Sequence, residues 1–132
     1  MIGTGAEAAP FDDVVRTLSA RDPVACSRVD ASVDTLRQVV DTVSMPPWVP
    51  MRAAQCLVEG HAAEIEADLT RWVVDPADKG LGLLVLAEID RLPTDLAVRI
   101  ATKAVTEGPD RERAAARVAD AASPEVRAVV SR

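Results

Sequence analysis

The sequence predicts an all-α chain, a short right-handed α-solenoid of three to four helical hairpins stacked in line. Three observations predict it. Apolar residues recur at the i, i+3, i+4, i+7 spacing of a helix face, and no stretch shows the two-residue alternation of a strand. Pro and Gly punctuate the helical stretches throughout. Equivalent apolar positions also return at a fixed interval: Leu36, Ile65, Leu96 and Val126 follow one another at steps of 29, 31 and 30 residues.

Residues 1–10 are rich in Gly and Ala, close on Pro10, and read as a flexible leader to a single domain over 11–132. Phe11, Val14, Val15 and Leu18 form the first helical face, which Asp22-Pro23 interrupts. Val24 to Val29 reads as one or two helical turns. Ser32 is a plausible N-cap for a helix with Val33, Leu36, Val40 and Val43 on one face. Pro46, Pro47 and Pro50 break that helix, and Pro50 suits the first turn of the next, where its missing N–H is not needed.

Ala53, Ala54, Leu57 and Val58 line the following helix, and Gly60 is placed to end it. A helix over 62–74 turns Ile65, Leu69, Trp72 and Val73 inward, with Asp75-Pro76 as its stop. The stretch from Lys79 to Ile89 is apolar on more than one face and should be buried on several sides. Thr94 is expected to cap a helix through Thr106, which Gly108-Pro109 ends. Asp110 can cap a helix over 111–122, and Ser123-Pro124 opens a last one to Val130.

Several columns shift together. Val40, Leu69, Ile100 and Val130 repeat at steps of 29, 31 and 30, Cys26 and Cys56 stand 30 apart, and Asp78 and Asp110 stand 32 apart. Pro46, Pro76 and Pro109 fall between hairpins, and Pro93 and Pro124 within them. The physical reason for such a period is that one hairpin cannot cover its own apolar face, whereas a stacked neighbour can.

Composition excludes several function classes. The 132 residues carry a formal net charge of −6, so wholesale phosphate neutralisation is disfavoured and nucleic acid is not the expected partner. Basic and acidic residues number four and seven in 1–48, six and ten in 49–108, and five and four in 109–132. No run approaches the roughly 18 apolar residues of a membrane span, and Met1 to Ala9 lacks the pattern of a secretory signal. A cytoplasmic location is the default expectation. Two cysteines are too few for a disulfide scaffold or a four-ligand zinc site, so Cys26 and Cys56 are expected as buried thiols.

Candidate chemistry is sparse. His61, the only histidine, has no evident nucleophile or orienting partner and reads as a solvated turn residue. Glu64, Glu66 and Asp68, like Glu88 with Asp90 and Asp12 with Asp13, form acidic groups best explained by solubility, and Asp68 and Arg71 are spaced to neutralise each other. Gly80 and Gly82 do not form a phosphate loop, lacking its Lys and preceding strand, and instead suit close helix packing. Trp72 sits on an inward face. Trp48, between Pro47 and Val49, is either a plug over a turn or an exposed binding anchor.

"PPWVPMRAAQCLVEG" and "DRERAAARVADAASPEVRAVV" resemble the first helices of HEAT repeats, with Arg52 and Arg113 each before an Ala pair, and "WVVDP" is similar to the boundary between such repeats, at Asp75. The resemblance to the HEAT/armadillo-like family covers residues 20–132 and departs from the pattern at Lys79 and Leu81. It implies an α-solenoid in which Arg52, Asp75 and Arg113 tie adjacent repeats together by capping and charge-assisted hydrogen bonds. It also implies a binding role and no catalytic residues.

The function expected is therefore a protein–protein interaction module or small adaptor, without cofactor or metal, using the concave face of the array. The second helices would present Glu64, Asp68 and Arg71 on one and Arg99 and Lys103 on the next, with Trp48 as a further anchor. That mixture of charges suits a protein or peptide, and exposed apolar ends would favour a homodimer. The alternative is a non-solenoid helical bundle that serves as a subunit or inhibitor of another protein. A HEAT-like DNA glycosylase is disfavoured because it needs aromatic residues and basic strips along a DNA groove, and the chain, with two Trp and one Phe, offers neither feature.

Overall fold

The computed structural model describes residues 9–21, 25–42 and 46–131, and among these every regular element is helical. The expected leader, apart from Ala9 and Pro10, lies outside the described residues, as do Val24 and Val43. The chain falls into two compact units, Met1–His61 and Ala62–Arg132.

The first unit holds α1 (Phe11–Ser19), a 3-10 turn at Cys26–Arg28, α2 (Val33–Val40) and α3 (Trp48–His61). The Ser32 hydroxyl accepts from the Thr35 N–H at 3.1 Å, fixing the start of α2 as expected. α1, α2 and α3 pack mutually. Val14, Leu18, Leu36, Val39, Val49, Leu57 and Val58 are essentially closed to solvent, each worth roughly 1.5–3 kcal/mol of burial before entropy is counted.

Two expectations shift here. Val39, not Val40, is the fully buried partner of Leu36 on α2, while Val40 is half-buried; both spacings lie near the face of Leu36, and the packing of α2 on α1 and α3 turns the i+3 position inward. α3 runs through Gly60 to His61 instead of ending at the glycine, and a 3-10 turn at Ala62–Glu64 follows it. The single helix expected over 62–74 is accordingly this turn followed by α4 (Glu66–Val74).

The buried thiols are corrected as well: Cys26 and Cys56 form a disulfide, with Cα atoms 5.1 Å apart. Two cysteines are too few for a disulfide scaffold, yet they suffice for one bond, and their 30-residue interval is also that of the repeat. Packing of the 26–28 turn against α3 brings these equivalent positions side by side.

The second unit contains α4, a 3-10 turn at Pro76–Asp78, α5 (Lys79–Ala87), a 3-10 turn at Ile89–Arg91, α6 (Thr94–Glu107), α7 (Arg111–Ala119) and α8 (Pro124–Arg127). α4 packs on α5 and α6, α5 on α7, and α6 on α7 and α8. Asp110 accepts from the Arg113 N–H and caps α7, while Ser123 caps α8 with Pro124 at its start, both as expected. Thr94 is instead the first helical residue of α6, after Pro93, and makes no side-chain cap. α7 stops at Ala119 rather than Ala122.

The recurring column Leu36, Ile65, Leu96 and Val126 is buried at every position. In the other column Leu69 and Ile100 are fully buried, whereas Val40 and Val130 are half-buried. α5 is less enclosed than expected: Val85 and Leu86 are buried, but Leu81, Leu83 and Leu84 only partly. Gly82 is what lets α5 approach α4, since a Cβ there would lie 2.6 Å from the Trp72 carbonyl oxygen. Gly80 has open space around it and plays no such part.

Candidate functional site

The polar residues singled out in sequence gather on α4 and α6, which lie side by side in the second unit. Glu66 opens α4, where the helix dipole favours a negative charge. Arg99, a turn and a half into α6, grips it with a two-pronged bond: Arg99 Nε donates to Glu66 Oε2 at 2.7 Å and Nη2 to Oε1 at 2.8 Å. The hydrogen bond from Arg99 holds the Glu66 carboxyl below the ordinary glutamate range, and the same bond raises Arg99.

The neighbouring charges are also matched. Arg71 Nη2 lies 3.8 Å from Asp68 Oδ1, the neutralisation expected at that spacing, and Arg71 Nε lies 3.6 Å from Asp78 Oδ2. Lys103 Nζ donates to Glu107 Oε2 at 3.0 Å. Glu64 is exposed on the 3-10 turn ahead of α4. Glu66, not among the candidates from sequence, is thus the organising residue of this face. Its signal in sequence was the interval of 33 residues to Arg99, close to one repeat.

Trp48 belongs to the first unit. It is 52% exposed at the start of α3, the large hydrophobic side chain most open to solvent among the described residues. Ser19, Ala20, Arg21 and Arg52 line with it a shallow cleft of about 390 Å³. Arg52 walls this cleft while its Nη1 donates to the Leu18 carbonyl at 2.6 Å and the Ala20 carbonyl at 3.1 Å. These are carbonyls at the C-terminal end of α1, where a cation is favoured and acceptors are left over by the helix.

The other two residues expected to tie repeats are placed differently. Asp75 accepts from the Ala77 N–H at 2.9 Å, a local turn bond. Arg113 is exposed, and its neighbour one turn on, Arg117, does the reaching: Arg117 Nη2 donates to the Ala87 carbonyl at 3.2 Å and lies 3.9 Å from Asp90. Asp90 in turn accepts from the Ala122 N–H at 3.0 Å, just ahead of α8. Sequence reasoning missed both because the Ala pair after Arg113 drew attention to the wrong arginine of α7.

His61, expected in a solvated turn, ends α3 half-buried and borders the disulfide. No helix among the described residues is long and apolar enough to cross a membrane. Comparison with protein-family models, curated proteins and solved structures finds no match for this chain.

Proposed function

We propose that this chain is a protein-binding scaffold of HEAT-like hairpins, which engages a protein or peptide through the exposed face of α4 and α6, with Trp48 as a separate anchor. The observation that carries the reading is the spacing of the side-chain ties. Arg52 reaches back 34 and 32 residues, Arg99 33, Arg117 30, and Asp90 forward 32. Each interval is close to one repeat of the sequence. Ties of one repeat length are what stacked hairpins require, since each unit of structure leans on the next in line. The packing within the second unit agrees: α4, α6 and α8 form one succession of neighbours and α5 and α7 another.

The chemistry of the face favours a protein over a polyanion. Its guanidiniums and ammonium are already matched by Glu66, Asp68, Asp78 and Glu107. A partner must exchange these pairs for complementary ones, which selects for a patterned surface. Solvent screens exposed pairs of this kind and they contribute little stability, so their arrangement is free to serve recognition.

The test is affinity capture from the native host with wild type, with the charge-reversed pair Asp68→Lys and Arg99→Glu, and with Trp48→Ala. Circular dichroism confirms folding of each. Proteins captured by wild type and lost with the reversed pair support the α4–α6 face. Unchanged capture by the folded reversed pair removes that face from the reading. Removal of residues 109–132 tests the architecture: a stacked array should retain a cooperative, weakened α4–α6 segment, whereas a single-core bundle should lose its fold.

A further inference from the structure

The strap at 25–30 is held to its unit in an unusual way. Not one of its residues is buried: Cys26 and Val29 are half-covered and Ala25, Ser27, Arg28 and Asp30 are exposed. Its backbone bonds are few: Arg28 N–H to the Ala25 carbonyl at 2.8 Å and Val29 N–H to the Cys26 carbonyl at 3.0 Å within the strap, and Ala9 N–H to the Asp30 carbonyl at 3.0 Å at its end. With so little apolar surface removed from water, burial supplies only a weak hold on such a segment. The disulfide to Cys56 supplies the firm one.

The two sulfurs are unequal. Cys26 is half-exposed on the strap, whereas Cys56 is 5% exposed on α3. A cavity of about 160 Å³ adjoins the bond, walled by Val29, Leu36, Glu59 and His61 as well as both cysteines. An incoming thiol therefore has a route to the disulfide, and Cys26 is the more exposed residue of the pair.

We propose that Cys26–Cys56 is a reversible thiol–disulfide exchange site that latches the strap, with soluble dithiols as the reductant class. A dithiol thiolate attacks Cys26 Sγ. A mixed disulfide forms, the Cys26–Cys56 bond breaks, and Cys56 leaves as a thiolate that takes up a proton. The second thiol of the reductant, losing its proton, then attacks the reductant's other sulfur in the mixed disulfide and expels Cys26 as a thiolate, which takes up a proton in turn. The protein has gained two electrons and two protons, and the reductant leaves as its cyclic disulfide. The strap then lifts and opens the wall of the cavity at Val29, while the α1–α3 core stays packed.

This proposal is independent of the binding face on α4 and α6. The full-length protein is oxidised with oxidised glutathione, and one portion is reduced with dithiothreitol. Iodoacetamide labelling is read by peptide mass and amide hydrogen exchange by peptide. Oxidised protein should resist labelling at both cysteines. Once reduction is complete Cys26 should label faster than the buried Cys56, and the amides of 25–30 should exchange at least about tenfold faster while those of 53–58 keep their protection. The Cys26→Ser, Cys56→Ser double variant should exchange like the reduced protein. Failure of the pair to oxidise overturns the proposal. So does unchanged protection of 25–30 on reduction, loss of protection in α3 together with the strap, or a double variant that exchanges like the oxidised form.

Discussion

Gly82 meets the backbone of Trp72: the place a Cβ would take lies 2.6 Å from the Trp72 carbonyl oxygen and 3.3 Å from Val73 Cα. Backbone cannot move aside as a side-chain tip can, so α5 would have to shift from α4. Gly82→Ala gains at most about 1 kcal/mol of helix propensity but incurs overpacking of about 1–3 kcal/mol. The expected net result, with the propensity gain at its full value, is destabilisation by about 0–2 kcal/mol in urea melts. Gly80→Ala in the same helix meets nothing within 4 Å and should gain about 0.5 kcal/mol. Equal effects at the two glycines would contradict this account of the α4–α5 contact.

The two glycines also show what sequence carried and what it did not. "GLG" between apolar residues was enough to read close helix packing, but not to say which glycine provides it, because that depends on the facing backbone. The same limit applies to the arginines. Helical periodicity located the helices of the described residues and their caps at Ser32, Asp110 and Ser123, since those signals are local in the chain. Arg117, Asp90 and the Glu66–Arg99 fork join places 30–33 residues apart, and register between neighbouring helices decides them. The disulfide was hidden for a further reason: its interval matches the repeat, so it was already accounted for.

Arg117 and Arg113 lie four residues apart on α7 but should behave differently. Arg117 bonds the Ala87 carbonyl and approaches Asp90, while Arg113 is exposed and only its backbone N–H is bonded, to Asp110. Arg117→Ala should lower stability by about 1 kcal/mol, the net worth of a typical bond, whereas Arg113→Ala should stay within about 0.5 kcal/mol. Asp90→Ala, which strips the acceptor from Ala122 N–H and Ser123 N–H, should cost about 1 kcal/mol as other lost caps do. Chemical denaturation of the three variants decides it. A larger loss at Arg113 would restore it as the tie between repeats.

The Glu66–Arg99 fork predicts an acid-side dependence. The folded state lowers the Glu66 pKa, so it binds fewer protons than the unfolded chain over that range. The fork's contribution is therefore complete above the unfolded glutamate value and fades as pH falls through the lower folded value. At the alkaline end the raised Arg99 would lose its contribution only as pH rises through the folded arginine value, beyond the usual working range. Glu66→Gln should thus be less stable than wild type at neutral pH, and the gap should close in strong acid. The measurement is urea unfolding across the acid range, and a gap that does not vary with pH would remove the fork as its source.

The two tryptophans make each unit separately visible. Trp48 is 52% exposed in the first unit, and Trp72 is 1% exposed in the second. In Trp72→Phe the remaining emission should be red-shifted and readily quenched by acrylamide. In Trp48→Phe it should be blue-shifted and protected until the second unit unfolds. Trp72 Nε1 is buried without a hydrogen-bond partner, so replacing the indole by phenyl also removes an unsatisfied N–H. That relief should offset part of the roughly 1–3 kcal/mol lost through poorer packing, leaving Trp72→Phe folded and usable as a single-tryptophan reporter. A quenchable, red-shifted Trp48→Phe in native buffer would mean that Trp72 is not in the core, and the packing of α4 against α5 and α6 would have to be redrawn.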